Sequence, residues 1–299
     1  MSFVWVPVTL AAASFQTGRF ILQKRLSDSG ISAVGATYAR FVWAFPLIWI
    51  WVTLLTLHEG SGLPGLTPVF GSFALSGAVS QIIATVCVVM LFERRHFAVG
   101  LTLKRTEVML AGVFSFVLLG EVIALLDWIA MGVGLIGVLV MSRTTGLAEK
   151  GQIDWPSVVL GLAAGAFFGV SANSYRGASL GLGDGGVALR AAFTLGVVVT
   201  LQVSLLTLYL AIWEKGQIRR VTRDYAKITF WVGVLSVAGS FCWFTAFTLQ
   251  NAAIVNAVGQ IEVLLAVIAG YVIFNERITK TEWIGGLLIV ASVLMLILV

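Results

Sequence analysis

Ten stretches of about twenty residues, each nearly free of charge, run through this 299-residue chain. They cover roughly 3–22, 33–56, 69–92, 97–119, 122–142, 157–175, 187–212, 228–248, 254–274 and 281–298. A helix needs about 20 apolar residues to cross the hydrocarbon core of a bilayer. Only short loops are left between the runs, so no soluble domain fits. Composition agrees. Hydrophobic residues make up 59% of the chain and charged residues 11%, with a mean hydropathy of +1.00. Soluble domains carry about 25% charge. A cytosolic enzyme, a disordered chain and a secreted disulfide scaffold are excluded. Membrane barrels alternate apolar and polar residues, whereas these runs are unbroken. The expected fold is an all-α integral membrane protein of ten transmembrane helices. The first run lacks a basic leader segment and reads as a membrane helix, not a cleaved signal.

The net charge of +5, from 19 basic and 14 acidic residues, does not indicate nucleic-acid binding. The basic residues sit mainly in short loops, where they set membrane orientation. Loops 1–2, 3–4, 5–6, 7–8 and 9–10 hold 13 Lys and Arg, while the opposite loops and both termini hold only Arg176. That bias places the first set in the cytoplasm and both termini outside. The longest polar stretch is Glu214 to Lys227 in loop 7–8. Cys87 and Cys242 lie inside apolar runs and read as buried thiols without a disulfide. No metal-binding Cys or His spacing occurs, and His58 and His96 fall at span edges. No phosphate-binding Gly-rich loop precedes a Lys-Ser/Thr pair, so ATP is not the energy source. An enzyme is not expected, nor is any cofactor.

The chain also repeats itself. Glu107, Val108, Glu121, Trp128, Cys87 and Phe92 each recur 155 residues later, as Glu262, Val263, Glu276, Trp283, Cys242 and Phe247. Arg40 matches Arg190 at an offset of 150, so five residues are inserted between these landmarks. Residues 1–145 and 150–299 are therefore expected to be two five-helix repeats. An odd number of spans per repeat forces the second to enter the membrane inverted. The loops follow suit: Phe92-Glu93-Arg94-Arg95-His96 holds two Arg, and its copy, Phe247 to Asn251, holds no basic residue. Inverted repeats allow one fold to rock between inward-open and outward-open forms around a central site.

Polar side chains inside the spans are the candidates for that site, because hydrocarbon offers them no partner. Glu107 and Glu262 occupy equivalent places and suit proton coupling or recognition of a substrate amine. Glu107 also stands three residues from Lys104, close enough on a helix to be neutralised by it. Arg40 and Arg190 suit charge recognition, with snorkelling to the interface as the alternative. Arg19, Lys104 and Arg105, toward the cytoplasmic side, suit the same snorkelling, with a basic vestibule that attracts carboxylates as the alternative. Gln16, Gln81, Ser171, Asn173, Asn256 and Gln260 are substrate-binding candidates, with interhelical hydrogen bonding as the alternative use. Asn256 and Gln260, four apart, are expected to share a helix face. Trp243 is a stacking surface for an aromatic substrate. Trp5, Trp51, Trp128, Trp155, Trp213 and Trp283 are placed by their positions in an interfacial belt.

With Ala39-Arg40-Phe41 and Leu189-Arg190-Ala191 early in each second span, and Gly120-Glu121 and Asn275-Glu276 closing each fourth, the whole chain resembles the drug/metabolite transporter superfamily in its ten-helix EamA-like branch. Within it the chain looks most like the YddG-type exporters of aromatic amino acids. Val108 and Val263 stand near positions where many relatives have Pro, and Asn275 where Gly is common. The resemblance implies export of aromatic and other neutral amino acids across the bacterial inner membrane. It implies a cavity between spans 1–4 and 6–9, with spans 5 and 10 peripheral. Expected partners are the small-molecule substrate, membrane lipid and, where a carboxylate couples transport, protons; the oligomeric state is open, a monomer being compatible with the reading.

Overall fold

The computed structural model describes residues 3–27, 29–60, 62–92, 103–142, 155–274 and 279–298. The loop residues Glu93, Arg94, Arg95, His96, Arg143, Lys150, Asn275, Glu276 and Arg277 lie outside them, as do the side chains of Lys24, Arg25 and Phe92. Among the described residues all regular structure is helical. The helices are α1 (Trp5–Ser27), α2 (Ala33–Val42), α3 (Ala44–Glu59), α4 (Pro68–Phe92), α5 (Glu107–Leu119), α6 (Leu125–Ser142), α7 (Trp155–Leu180), α8 (Val187–Ile212), α9 (Ala226–Leu249), α10 (Ala252–Gly259), α11 (Ile261–Phe274) and α12 (Lys280–Leu298). A helical turn, Gln217–Arg219, and a π-turn, Arg220–Asp224, lead into α9.

Six helical runs are long and apolar enough to cross a membrane: Ala33–Glu59, Pro68–Leu91, Trp155–Leu180, Val187–Ile212, Ala226–Leu249 and Lys280–Leu298. Glu107–Leu119, Leu125–Met141 and Ala252–Leu265 are apolar but shorter. Helix α1 is 23 residues long and falls short on hydropathy, because Gln16, Arg19 and Gln23 interrupt it. Arg19 and Gln23 are buried against the rest of the bundle, so these polar groups face protein, not lipid.

Three expected continuous spans are interrupted, the second span for a visible reason. The second breaks at Trp43, between α2 and α3. Pro46 has no N–H, and its ring crowds the carbonyl of Val42 one turn back. Its counterpart in the other half is Gly196, and α8 runs unbroken past it. The fourth and ninth break at matched places, in the turn at Arg105–Thr106 and at Gln260. Tight bonds mark both, from Thr106 N to Leu103 O (3.0 Å) and from Gln260 N to Ala257 O (3.1 Å). Glu107 and Glu262 thereby fall in the first turn of a new helix, α5 and α11, where the helix dipole favours a carboxylate.

Helix pairs pack in matched sets. Helix α4 lies along α7 as α9 lies along α1, α5 packs on α7 as α10 and α11 pack on α1, and α6 pairs with α12. Small residues permit the close approaches. A Cβ on Gly285 would stand 2.5 Å from the Gly137 carbonyl, and one on Gly169 3.1 Å from the backbone nitrogen of Ala111. The outside is apolar: Phe116, Val117, Ile136 and Leu287 on helix surfaces are more than half exposed. Trp51, Trp155, Trp213 and Trp283 are exposed as a belt requires. Trp5 is buried in the core and does not belong to the belt; Trp128 is half-buried, its ring packed on Gly112. Cys87 and Cys242 are free thiols, partly rather than fully buried.

Candidate functional site

A small cavity, about 50 Å³ in this form, lies where helices of both halves converge. Helices α1, α2, α4 and α5 and the segment before α5, from the first half of the chain, line it together with α7, α9 and α10 from the second. Neither α6, α12 nor α8 contributes. The polar lining comes from Gln16, Arg40, Gln81, Lys104, Glu107, Ser171, Ser240 and Asn256. The aromatic lining comes from Phe168, Tyr175, Trp243, Phe244 and Phe247. Tyr175 stacks on Phe244 at 4.1 Å between centroids, and Trp243 on Phe247 at 5.6 Å. The Tyr175 hydroxyl donates to the Gly77 carbonyl at 2.9 Å, which locks that ring as a wall.

The charged residues sort into pairs and a remainder. Lys104 Nζ meets Glu107 at 2.9 Å, the i,i+3 neutralisation open from sequence. Glu262 is held by other helices. It accepts from Gln16 Nε2 at 2.8 Å and pairs with Arg105 at 3.4 Å. Glu262 thus stands behind Gln16, outside the lining, although Glu107, its sequence equivalent, faces the cavity. Breaking a buried ion pair from one side leaves an uncompensated charge. Glu262→Gln is therefore expected to cost about 3 kcal/mol of stability. The check is thermal unfolding of the purified protein, where unchanged melting would mean that Arg105 has another partner.

Arg40 projects from α2 into the cavity. Its Nη1 donates to Thr85 Oγ1 at 3.0 Å and its Nη2 reaches Ser240 Oγ at 3.5 Å. Arg40 is 4% exposed, and no carboxylate pairs with it among the described residues. Arg190, its partner in the repeat, sits in the first turn of α8 away from the cavity. Arg19 donates to Gln23 Oε1 at 2.5 Å, one turn along α1.

The amide candidates divide. Gln81 Oε1 accepts from Gln202 at 2.9 Å, and Gln81 faces the cavity with Asn256 and Ser171. Asn173 does not. Its amide donates at 2.9 Å to the carbonyls of both Ala111 and Gly169, bracing α5 against α7. Residues 171 and 173 stand about 200° apart around a helix, so both cannot face one cavity. Gln260 also lies elsewhere, against Gly134 and Ser292 on α6 and α12. The i,i+4 rule that joined it to Asn256 assumes an unbroken helix, and α10 ends at Gly259. Tyr175 and Ser240 were missed as candidates. Each stands on the face of a residue already singled out, four after Ser171 and three before Trp243.

A polar knot adjoins the cavity at Phe247, one of its lining residues. Arg176 Nε, on α7, donates to both Glu121 oxygens at 2.8 and 3.1 Å, and its Nη1 donates to the carbonyls of Phe247 (2.6 Å) and Gln250 (2.8 Å). Asn251 Nδ2 joins Glu121 at 2.7 Å and Ser115 at 2.6 Å. Asn251 Oδ1 also caps α10 by accepting from Ala253 N at 2.9 Å. The knot ties the end of α5 to α7 and to the α9–α10 corner.

The EamA-like transporter family model matches this chain twice, over residues 3–143 and 155–298, and the chain belongs to that family of membrane transporters. Among solved structures it is similar to one described only as the crystal structure of a protein, at 12% identity and a TM-score of 0.75. That match covers 99% of this chain and 96% of the other, and at such low identity it speaks for the fold alone. No curated protein matches the sequence.

Proposed function

We propose that this protein is a secondary carrier of ten spans, built as two inverted five-helix units, residues 1–145 and 150–299. It moves small amphipathic molecules through the central cavity by alternating access, with aromatic amino acids the first substrates to test. One observation carries the reading: a small polar and aromatic cavity is lined by helices of both halves in a largely apolar bundle. The doubled family match and the matched helix pairs support the repeat. A cavity of this size holds a few waters. Substrate therefore enters only when the halves part, as a carrier requires and an open pore does not. The bias of loop charges supports an orientation with both termini outside; export from a bacterial cytoplasm rests on the resemblance to the YddG-type exporters.

Gln81, Ser171 and Asn256 offer uncharged polar contacts, and Trp243 offers a face for stacking. Glu107, held by Lys104, is the carboxylate placed to exchange a proton or a substrate charge. Trp243→Ala is expected to lower uptake of labelled phenylalanine into proteoliposomes about tenfold, and that of leucine about twofold or less. An equal loss for both would remove the stacking role.

A further inference from the structure

Buried charge beside the cavity is unbalanced. Four cations, Arg19, Arg40, Lys104 and Arg105, stand against two carboxylates, Glu107 and Glu262, among the described residues. The two ion pairs use Lys104 and Arg105. Arg40 and Arg19 hydrogen-bond to neutral oxygens, two hydroxyls and one amide, and lie over the Phe41 and Phe20 rings; Arg19 also feels the Glu262 charge, whereas Arg40 has no carboxylate near it among the described residues. These dipoles orient a guanidinium but leave its charge uncompensated. Both side chains are buried, at 4% and 2% exposure. An unpaired buried charge is costly, and a site that keeps one expects an opposite charge from elsewhere. Arg40 lines the cavity, where its planar fork can grip a carboxylate in place of the long 3.5 Å contact to Ser240.

We infer that the cavity takes a small organic anion of net negative charge, its carboxylate on Arg40 and its apolar body against the Trp243 and Phe244 rings. The inference rests on the carrier reading and narrows its substrate class. A zwitterion fits less well. Its ammonium would enter a field set by Arg40 and Arg19, and Glu107, the carboxylate in the lining, is already engaged by Lys104 at 2.9 Å.

Ligands matched in body and differing in charge test this directly. Thermal stabilisation of the purified protein is measured with 3-phenylpropionate, phenylalanine and phenethylamine, and with the aliphatic set 4-methylpentanoate, leucine and isoamylamine. The expected order is anion, zwitterion, cation, with an anion effective at a concentration about tenfold lower than its zwitterion. Arg40→Gln is expected to abolish that preference and Arg40→Lys to retain part of it. If Arg40→Gln fails to fold, the wild-type ranking decides alone. A zwitterion that stabilises as well as its anion, an absence of any anion effect in both sets, or a preference that survives Arg40→Gln overturns the inference. An anion that binds in this way but is not transported into proteoliposomes leaves the anion site standing and removes the carrier reading.

Discussion

Glu121→Gln, combined with a reporter thiol placed in the cavity by Ala172→Cys in a Cys87→Ser/Cys242→Ser background, is expected to make that thiol react about tenfold faster with a water-soluble reagent. Ala172 lines the cavity and is buried. Access of the reagent to this position is expected to rise as the halves part. Glu121 anchors the knot beside the cavity, through Arg176 and Asn251, and that knot is expected to act as a gate. Charged hydrogen bonds are worth about 1.5–3 kcal/mol each. Arg176 and Glu121 keep 14% and 25% of their side-chain surface exposed, so solvent trims that figure. What is left amounts to about 1.4 kcal/mol, a tenfold shift toward the open form. Arg176→Gln should act alike, because it cuts the same ties and those to the Phe247 and Gln250 carbonyls. Unchanged labelling in both would show that the knot is a brace that stays closed through the cycle.

Gly259→Val is expected to reduce transport to below about a tenth of wild type while the protein still assembles. A Cβ on Gly259 would stand 2.3 Å from Cη2 of Trp243. The indole is backed by Phe247, so it swings into the adjoining cavity, which is too small to take it and a substrate together. Shrinking the ring should relieve the block. Trp243→Phe combined with Gly259→Val is expected to recover several-fold over Gly259→Val alone, measured as initial uptake per mole of reconstituted protein. A double variant no better than the single would mean that Gly259 matters for how α10 joins α11, not for the cavity.

Sequence reading went furthest where interactions are local or periodic. Lys104 and Glu107 are three residues apart, so their pairing is written in the spacing. The 155-residue offset aligned Glu107 with Glu262, and both do open a helix at a matched break. The breaks themselves were hidden. Arg105–Thr106 carries no Gly or Pro, and the interruption at Gln260 depends on how neighbouring helices pack. Pro46 did announce an interruption in the second span, which was nevertheless expected to run whole.

Long-range partners were out of reach for a different reason. Nothing near Glu262 in its own helix announces Gln16 or Arg105, 246 and 157 residues away. The repeat misled at Arg190, because equivalence in sequence fixes a place in the fold but not which side chains the cavity takes. Asn173 could have been set aside from helix geometry, since it faces away from Ser171. The same geometry pointed to Tyr175 and Ser240.

Counterflow in proteoliposomes tests the central claim most directly. Vesicles are loaded with one unlabelled compound each, drawn from aromatic and aliphatic carboxylates and amino acids, and entry of the labelled compound is followed. A carrier with one alternating site predicts saturable entry that overshoots equilibrium, accelerated by internal substrate and absent from protein-free vesicles. Entry that rises linearly with concentration and ignores the internal compound would contradict alternating access and point to a pore.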